Sequence, residues 1–149
     1  MDDLEFLADD HTLLSSQVIH VLALVRAIEA GRFGLAGLNT EIVRQTEMLS
    51  SQLSEHFAFE EVTAFPHLEE KYPEYKSRLG AMLAQHAGVL SAFEAFRSVL
   101  DVSPSTANYS QVLALAKIFE NAFEAHATQE TQLLREISTD ELPKAERAQ

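Results

Sequence analysis

Six side chains in this sequence have the types and spacing of a metal-binding layer: His11, His56, Glu60, His86, His126 and Glu130. Four of them form two His-x-x-x-Glu pairs, His56 with Glu60 and His126 with Glu130. Residues four apart share a helix face, so each pair offers an imidazole nitrogen and a carboxylate oxygen toward one point. His11 precedes the first pair and His86 the second, which gives a weak internal repeat: a lone histidine, then a paired one, twice. Leu49 and Leu53 precede His56 by seven and three positions, and Phe119 and Phe123 precede His126 by the same offsets.

All four histidines lie inside apolar stripes. His11 shares its face with Leu7, Leu14 and Val18, and His56 with Leu49 and Leu53. His86 shares its face with Leu79, Leu83, Leu90 and Phe93, and His126 with Phe119, Phe123 and Leu133. Such stripes face a core and carry Glu60 and Glu130 inward with them. A buried carboxylate needs a partner or takes up a proton. No basic residue is placed to be that partner: Lys117 and Arg44 are off-face, and Arg97 lies about three turns from His86. Metal ions would neutralise the pair. Neutral imidazoles with carboxylates suit iron, manganese or zinc. Four nitrogens and two carboxylates divide into two metals, each with two histidines and both bridged by the glutamates, with positions left for small ligands. The competing reading is a metal-free structural bundle, and it leaves two inward glutamates without a cation.

The elements that must position these residues are long helices. Breakers fall at Gly31–Gly37, between Pro66 and Pro73, and at Asp101–Ser105. They leave segments at about Leu4–Ala30, Leu38–Phe65, Glu74–Leu100 and Thr106–Ile137, each with apolar residues at helical spacing and none with strand alternation. Four helices of this length joined by short loops predict an all-α, up-down-up-down four-helix bundle. Ser103-Pro104 reads as the N-cap and first position of the last helix. In that bundle all four histidines fall roughly 10–18 Å from the same end, at 1.5 Å per residue. The reading is one domain over 1–149, with its core at 4–137 and a polar, frayed tail at 138–149.

Composition narrows the function. The chain has 149 residues, 46% of them hydrophobic, enough for a core and too many for a disordered segment. Cysteine is absent, which excludes disulfides, zinc–thiolate sites, iron–sulfur clusters and thiol nucleophiles. With 11 Lys and Arg against 23 Asp and Glu, the net charge of −12 repels phosphate backbones, so nucleic acid is not an expected partner. No apolar run approaches the roughly 20 residues of a membrane span. The start, Met1 to Glu5, is acidic where a secretion signal is basic, so a cytoplasmic location is expected. The sequence is silent on oligomeric state.

The motifs resemble the hemerythrin-like, HHE cation-binding family. Asp10-His11, the run Glu55-His56-Phe57-Ala58-Phe59-Glu60-Glu61 leading to Phe65-Pro66, Gln85-His86, and His126-Ala127-Thr128-Gln129-Glu130 carry the resemblance. It covers roughly Leu4 to Ile137. It implies a four-helix bundle with a non-haem, oxo-bridged centre of two iron ions, manganese or zinc being the alternatives. Members bind oxygen, sense oxygen or iron, or handle nitric oxide and peroxide. The expected partner is therefore a small diatomic or peroxide ligand. As an enzyme, the chain would be a peroxide- or NO-consuming oxidoreductase; as a regulator, its metal centre would control a partner protein. It departs from the oxygen-carrying hemerythrins in two places. Leu90 stands where their third helix has a second histidine, and the last helix has Glu130 at +4 in place of an aspartate at +5. Two partly open irons fit redox chemistry or sensing better than reversible oxygen carriage.

Other polar residues have plainer readings. His20 faces away from His11, and His67, across Pro66, lies about 10 Å along the axis from Glu60, too far to be a ligand. Glu61, turned 100° from Glu60, is solvated or supports the site from outside. Phe57, Phe59 and Phe65 read as core and pocket lining. The Glu-x-x-His pairs of ferritin-like sites and the His-Glu-x-x-His motif are both absent.

Overall fold

Helix α1 spans Asp3–Glu29 and α2 spans Leu35–Phe59; a single π turn, Glu60–Ala64, joins α2 to α3, Phe65–Lys71. A 3₁₀ turn, Pro73–Tyr75, leads into α4, Lys76–Leu100, and α5 spans Thr106–Ala148. The computed structural model describes the backbone at 3–29, 35–100 and 106–148, and side chains at 4–27, 40–100 and 109–139. All described elements are helical, as the periodicity predicts. Ser103-Pro104 lies outside the described residues. No helix among those described is long and apolar enough to cross a membrane.

Side-chain pairs between neighbouring rods fix their directions. Asp10 and Gln17 of α1 meet His56 and Gln45 of α2. Glu60 and Ser50 meet His86 and Arg97 of α4. Arg78 and Gln85 of α4 meet Glu136 and Gln129 of α5. His11 and Arg26 of α1 meet Glu130 and Glu120 of α5. In every couple one residue number rises as the other falls, so each rod is antiparallel to both neighbours. That is the up-down-up-down arrangement.

The second rod differs from the expectation at both ends. It begins at Leu35, before the expected Leu38, and it does not stop at Phe65. Pro66 does not break it because the π turn comes first. Phe65 N–H bonds back to Glu60 O, and Pro66 then occupies the opening turn of α3, where a missing N–H costs nothing. The extra residue of the π turn lets Glu60, Ala64, Phe65 and Leu68 all face inward. α5 runs on to Ala148, beyond Ile137 where the apolar pattern stops.

The core is two apolar clusters. One contains Leu14, Leu53, Phe57, Val89, Phe93, Phe119 and Phe123. The other, nearer the α3 end, contains Leu7, Ala64, Leu79, Met82 and Leu133. On every rod the candidate ligands fall in the gap: His11 between Leu7 and Leu14, His56 and Glu60 between Leu53 and Ala64, His86 between Met82 and Val89, His126 and Glu130 between Phe123 and Leu133. A polar layer therefore separates the two clusters.

Candidate metal centre

The structure brings all six sequence-predicted residues together. His56, His86 and His126 are buried, His11 is half-buried, and Glu60 and Glu130 are both 0% exposed. Each histidine turns Nε2 inward. His11 Nε2 lies 3.1 Å from Glu130 Oε1, and His126 Nε2 lies 2.9 Å from Glu130 Oε2. His56 Nε2 and His86 Nε2 each lie 3.2 Å from Glu60 Oε1. The donors form two groups, His11, His56, Glu60 and Glu130, and Glu60, His86, His126 and Glu130, each with its ligand atoms within 4.8 Å of one another. Both groups contain both glutamates. Each group could hold a metal ion.

The outward nitrogens are held as well. His56 Nδ1 bonds the Asp10 carboxylate, His86 Nδ1 bonds Glu61 Oε1 at 3.0 Å, and His126 Nδ1 bonds Gln85 Oε1 at 2.9 Å. Gln85 in turn donates its amide N–H to Gln129 Oε1 at 2.8 Å, which fixes its oxygen as the acceptor for His126. An Nδ1–H donated outward leaves the Nε2 lone pair pointing in, the tautomer a metal requires. Each supporting residue adjoins a candidate ligand on its own rod and reaches the histidine of the next. Asp10 beside His11 serves His56, Glu61 beside Glu60 serves His86, and Gln85 beside His86 serves His126. Consecutive residues are 100° apart on a helix, which is the turn needed to face the neighbouring rod. Sequence reasoning noted Asp10 and Gln85 without giving them a role; their adjacency to ligands was the available signal. Glu61 is both things the sequence allowed, its side chain 49% exposed and yet bonded to His86. His20 and His67 are exposed and belong to neither donor group.

Electrostatics favour cations in this layer. Burial, followed by the neighbouring His56, holds His11 down to about 4. Burial and the neighbouring His86 hold His126 down to about 4 as well, so both rings are neutral at pH 7. Burial works to raise Glu60, but His56 and His86 outweigh it and hold the carboxyl at about 2. Burial opposes charge on His56 too, yet Glu60 and Asp10 on either side raise it above the ordinary imidazole value. Glu60 therefore has a counter-charge available, whereas Glu130 sits between two neutral rings. His56 Nε2, His86 Nε2, His126 Nε2 and all four oxygens of Glu60 and Glu130 are buried without a hydrogen-bond partner. Each such group costs on the order of 1–3 kcal/mol, and more if charged. Glu130 Oε2 faces the neutral His126 Nε2 at 2.9 Å, two acceptors that an ion between them would satisfy.

Fold and site together define a four-helix bundle with a buried layer of histidines and carboxylates, able to hold metal ions. The family model described as the hemerythrin HHE cation-binding domain matches residues 2–137, and the chain belongs to that family. Searches of curated proteins and of solved structures each found no match.

The supporting shell leads to a prediction. Asp10→Ala removes the acceptor behind His56 at a partly exposed position, so the bundle should fold. Metal affinity is expected to fall roughly 10- to 100-fold, measured by competition with a chelator. Asp9→Ala, at the exposed neighbouring position, should bind as the parent chain does. Equal affinity in all three proteins would show that Asp10 does not orient the ligand.

Proposed function

We propose that this chain is a non-haem di-iron protein that binds or reacts with a small oxidant or gas: O₂, NO or peroxide. The observation that carries the reading is the set of buried, unpartnered nitrogens and carboxylate oxygens facing one another at the centre of the bundle. His11 and His56 would hold one ion and His86 and His126 the other, with Glu60 and Glu130 common to both. When bound, such ions supply Lewis acidity and electrons to a small ligand at the positions that two histidines apiece leave free. The chain's own part is to keep His11 and His126 neutral, to aim the rings and to keep bulk water out. Asp10, Glu61 and Gln85 fix the tautomers. Phe57 lies flat on His86, with ring centroids 3.9 Å apart and planes 8° from parallel, and walls the layer on the side of the larger cluster.

The test is metal content with an optical spectrum on untagged protein, loaded anaerobically with Fe(II). Two irons per chain with near-ultraviolet charge-transfer absorption are expected, in a window left clear by the absence of tryptophan. No bound iron after loading would sink the reading. Fast consumption of peroxide or NO would mark a scavenger, and stable adducts a carrier or sensor.

A second reading, an iron- or oxygen-sensing domain that controls a partner protein, draws on one feature of the layer: its donors come from all four rods. Binding there would tie bundle stability to metal by mass action. Identical melting and proteolysis with and without iron would remove that mechanism.

A further inference from the structure

Helices α1 and α5 leave a groove of about 420 Å³ along their outer seam, inside the roughly 300–1,000 Å³ range of small-molecule sites. None of the six metal-layer residues lines it. Its two ends differ in chemistry. One end is apolar, floored by Val18 and Leu22 of α1 and Phe123 of α5, all buried, with Ile19 on the rim and 65% exposed. The other end carries Thr128, Thr131 and Arg135. These fall at i, i+3 and i+7, on one face of α5.

Arg135 is the unusual member. Arg26, Arg44, Arg78 and Arg97 each pair with a glutamate, whereas Arg135 forms no ion pair among the described residues. The chain has 23 acidic residues against 11 basic ones, so partners are abundant. A guanidinium fits a carboxylate with two parallel hydrogen bonds, and the threonine hydroxyls beside it can add to them. The single guanidinium matches the charge of a monoanion and leaves a phosphate dianion only half neutralised. Glu124 lines the apolar end, roughly 16 Å along the helix from Arg135. A second acidic group on the occupant would meet it and be repelled.

We propose that this groove binds an aliphatic monocarboxylate, with its head on Arg135 and Thr131 and its chain along Val18, Leu22 and Phe123. The site goes beyond the metal reading and does not depend on it.

The test is calorimetric titration of the full chain with octanoate, 1-octanol and acetate, with methyl NMR of Ile19 and Leu22. Octanoate is expected to bind saturably, one per chain, and to shift both methyl signals. Acetate should not bind, and 1-octanol should bind more weakly and equally to the parent chain and Arg135→Gln. Arg135→Gln should weaken octanoate at least tenfold. Ile19→Asp, which places a charge beside the chain, should weaken it as well. Both positions are exposed, so neither change threatens the fold, and metal content should stay at the parent value. Arg44→Gln, elsewhere on the surface, should change nothing. The proposal is overturned by unsaturable octanoate binding, by equal affinity in Arg135→Gln, or by methyl shifts confined to residues outside the groove.

Discussion

Glu130→Met is expected to abolish stoichiometric metal binding and at the same time to raise the melting temperature of the metal-free chain. The two effects share one cause. Glu130 is 0% exposed, and its nearest polar neighbours, His11 and His126, are both held neutral by burial. Without an ion, its oxygens have no hydrogen-bond partner. Replacing a buried polar group that has no partner by an apolar side chain of similar size removes its desolvation penalty, on the order of 1–3 kcal/mol. At about 2–4 °C per kcal/mol for a chain near this length, the rise is several degrees. The measurement is metal content together with thermal melts in excess chelator. A purely structural layer predicts the opposite sign, since the carboxylate would then be an anchor. Glu60→Met should lose metal without gaining stability, because Glu60 is the counter-charge that raises His56. A metal-free Glu130→Met that melts below the parent would overturn the assignment of Glu130 as a ligand.

That contrast between two glutamates could not be read from spacing, which makes them equivalent. The apolar offsets of seven and three before His56 and His126 were enough to place both pairs in the core, and the antiparallel order was enough to bring four histidines to one depth. A periodic stripe reports which face is buried, and that information is local. The differences between the two halves are tertiary: Asp10 reaches His56 across the α1–α2 seam, whereas His126 receives the neutral amide of Gln85. The π turn was hidden for a related reason. One extra residue rotates everything after it by about 100°, so beyond Glu60 the stripe loses phase and reads as an ending. Pro66 strengthens that impression. In the structure the phase change is what allows Glu60 to point into the layer while Phe65 and Leu68 still reach the second cluster. Such turns concentrate at functional sites, and here the π turn begins at Glu60, a proposed ligand.

Phe57→Ala is expected to destabilise the metal-free chain by about 3–5 kcal/mol, the usual cost of truncating a buried aromatic residue. At roughly 2–4 °C per kcal/mol the melting temperature falls by some 6–20 °C. Phe57 is sequence-adjacent to His56, and its ring touches more of the layer than that adjacency implies. It stacks on His86, meets His126 edge-on at 5.7 Å and lies 5.9 Å from His56. Truncation therefore opens a cavity against three of the four ligand rings. Phe57→Leu separates packing from positioning, since leucine restores much of the volume but not the flat face against His86. With the stack gone, that ring is oriented chiefly by the one hydrogen bond it donates to the half-exposed Glu61 carboxylate. Iron affinity in Phe57→Leu should then fall about tenfold, which corresponds to about 1.4 kcal/mol less stabilisation by bound metal. The consequence is a melting gap between Phe57→Leu and the parent chain that widens when both are loaded with iron. A gap of the same size with and without metal would assign Phe57 to the core alone, because a residue that only fills space lowers both curves equally.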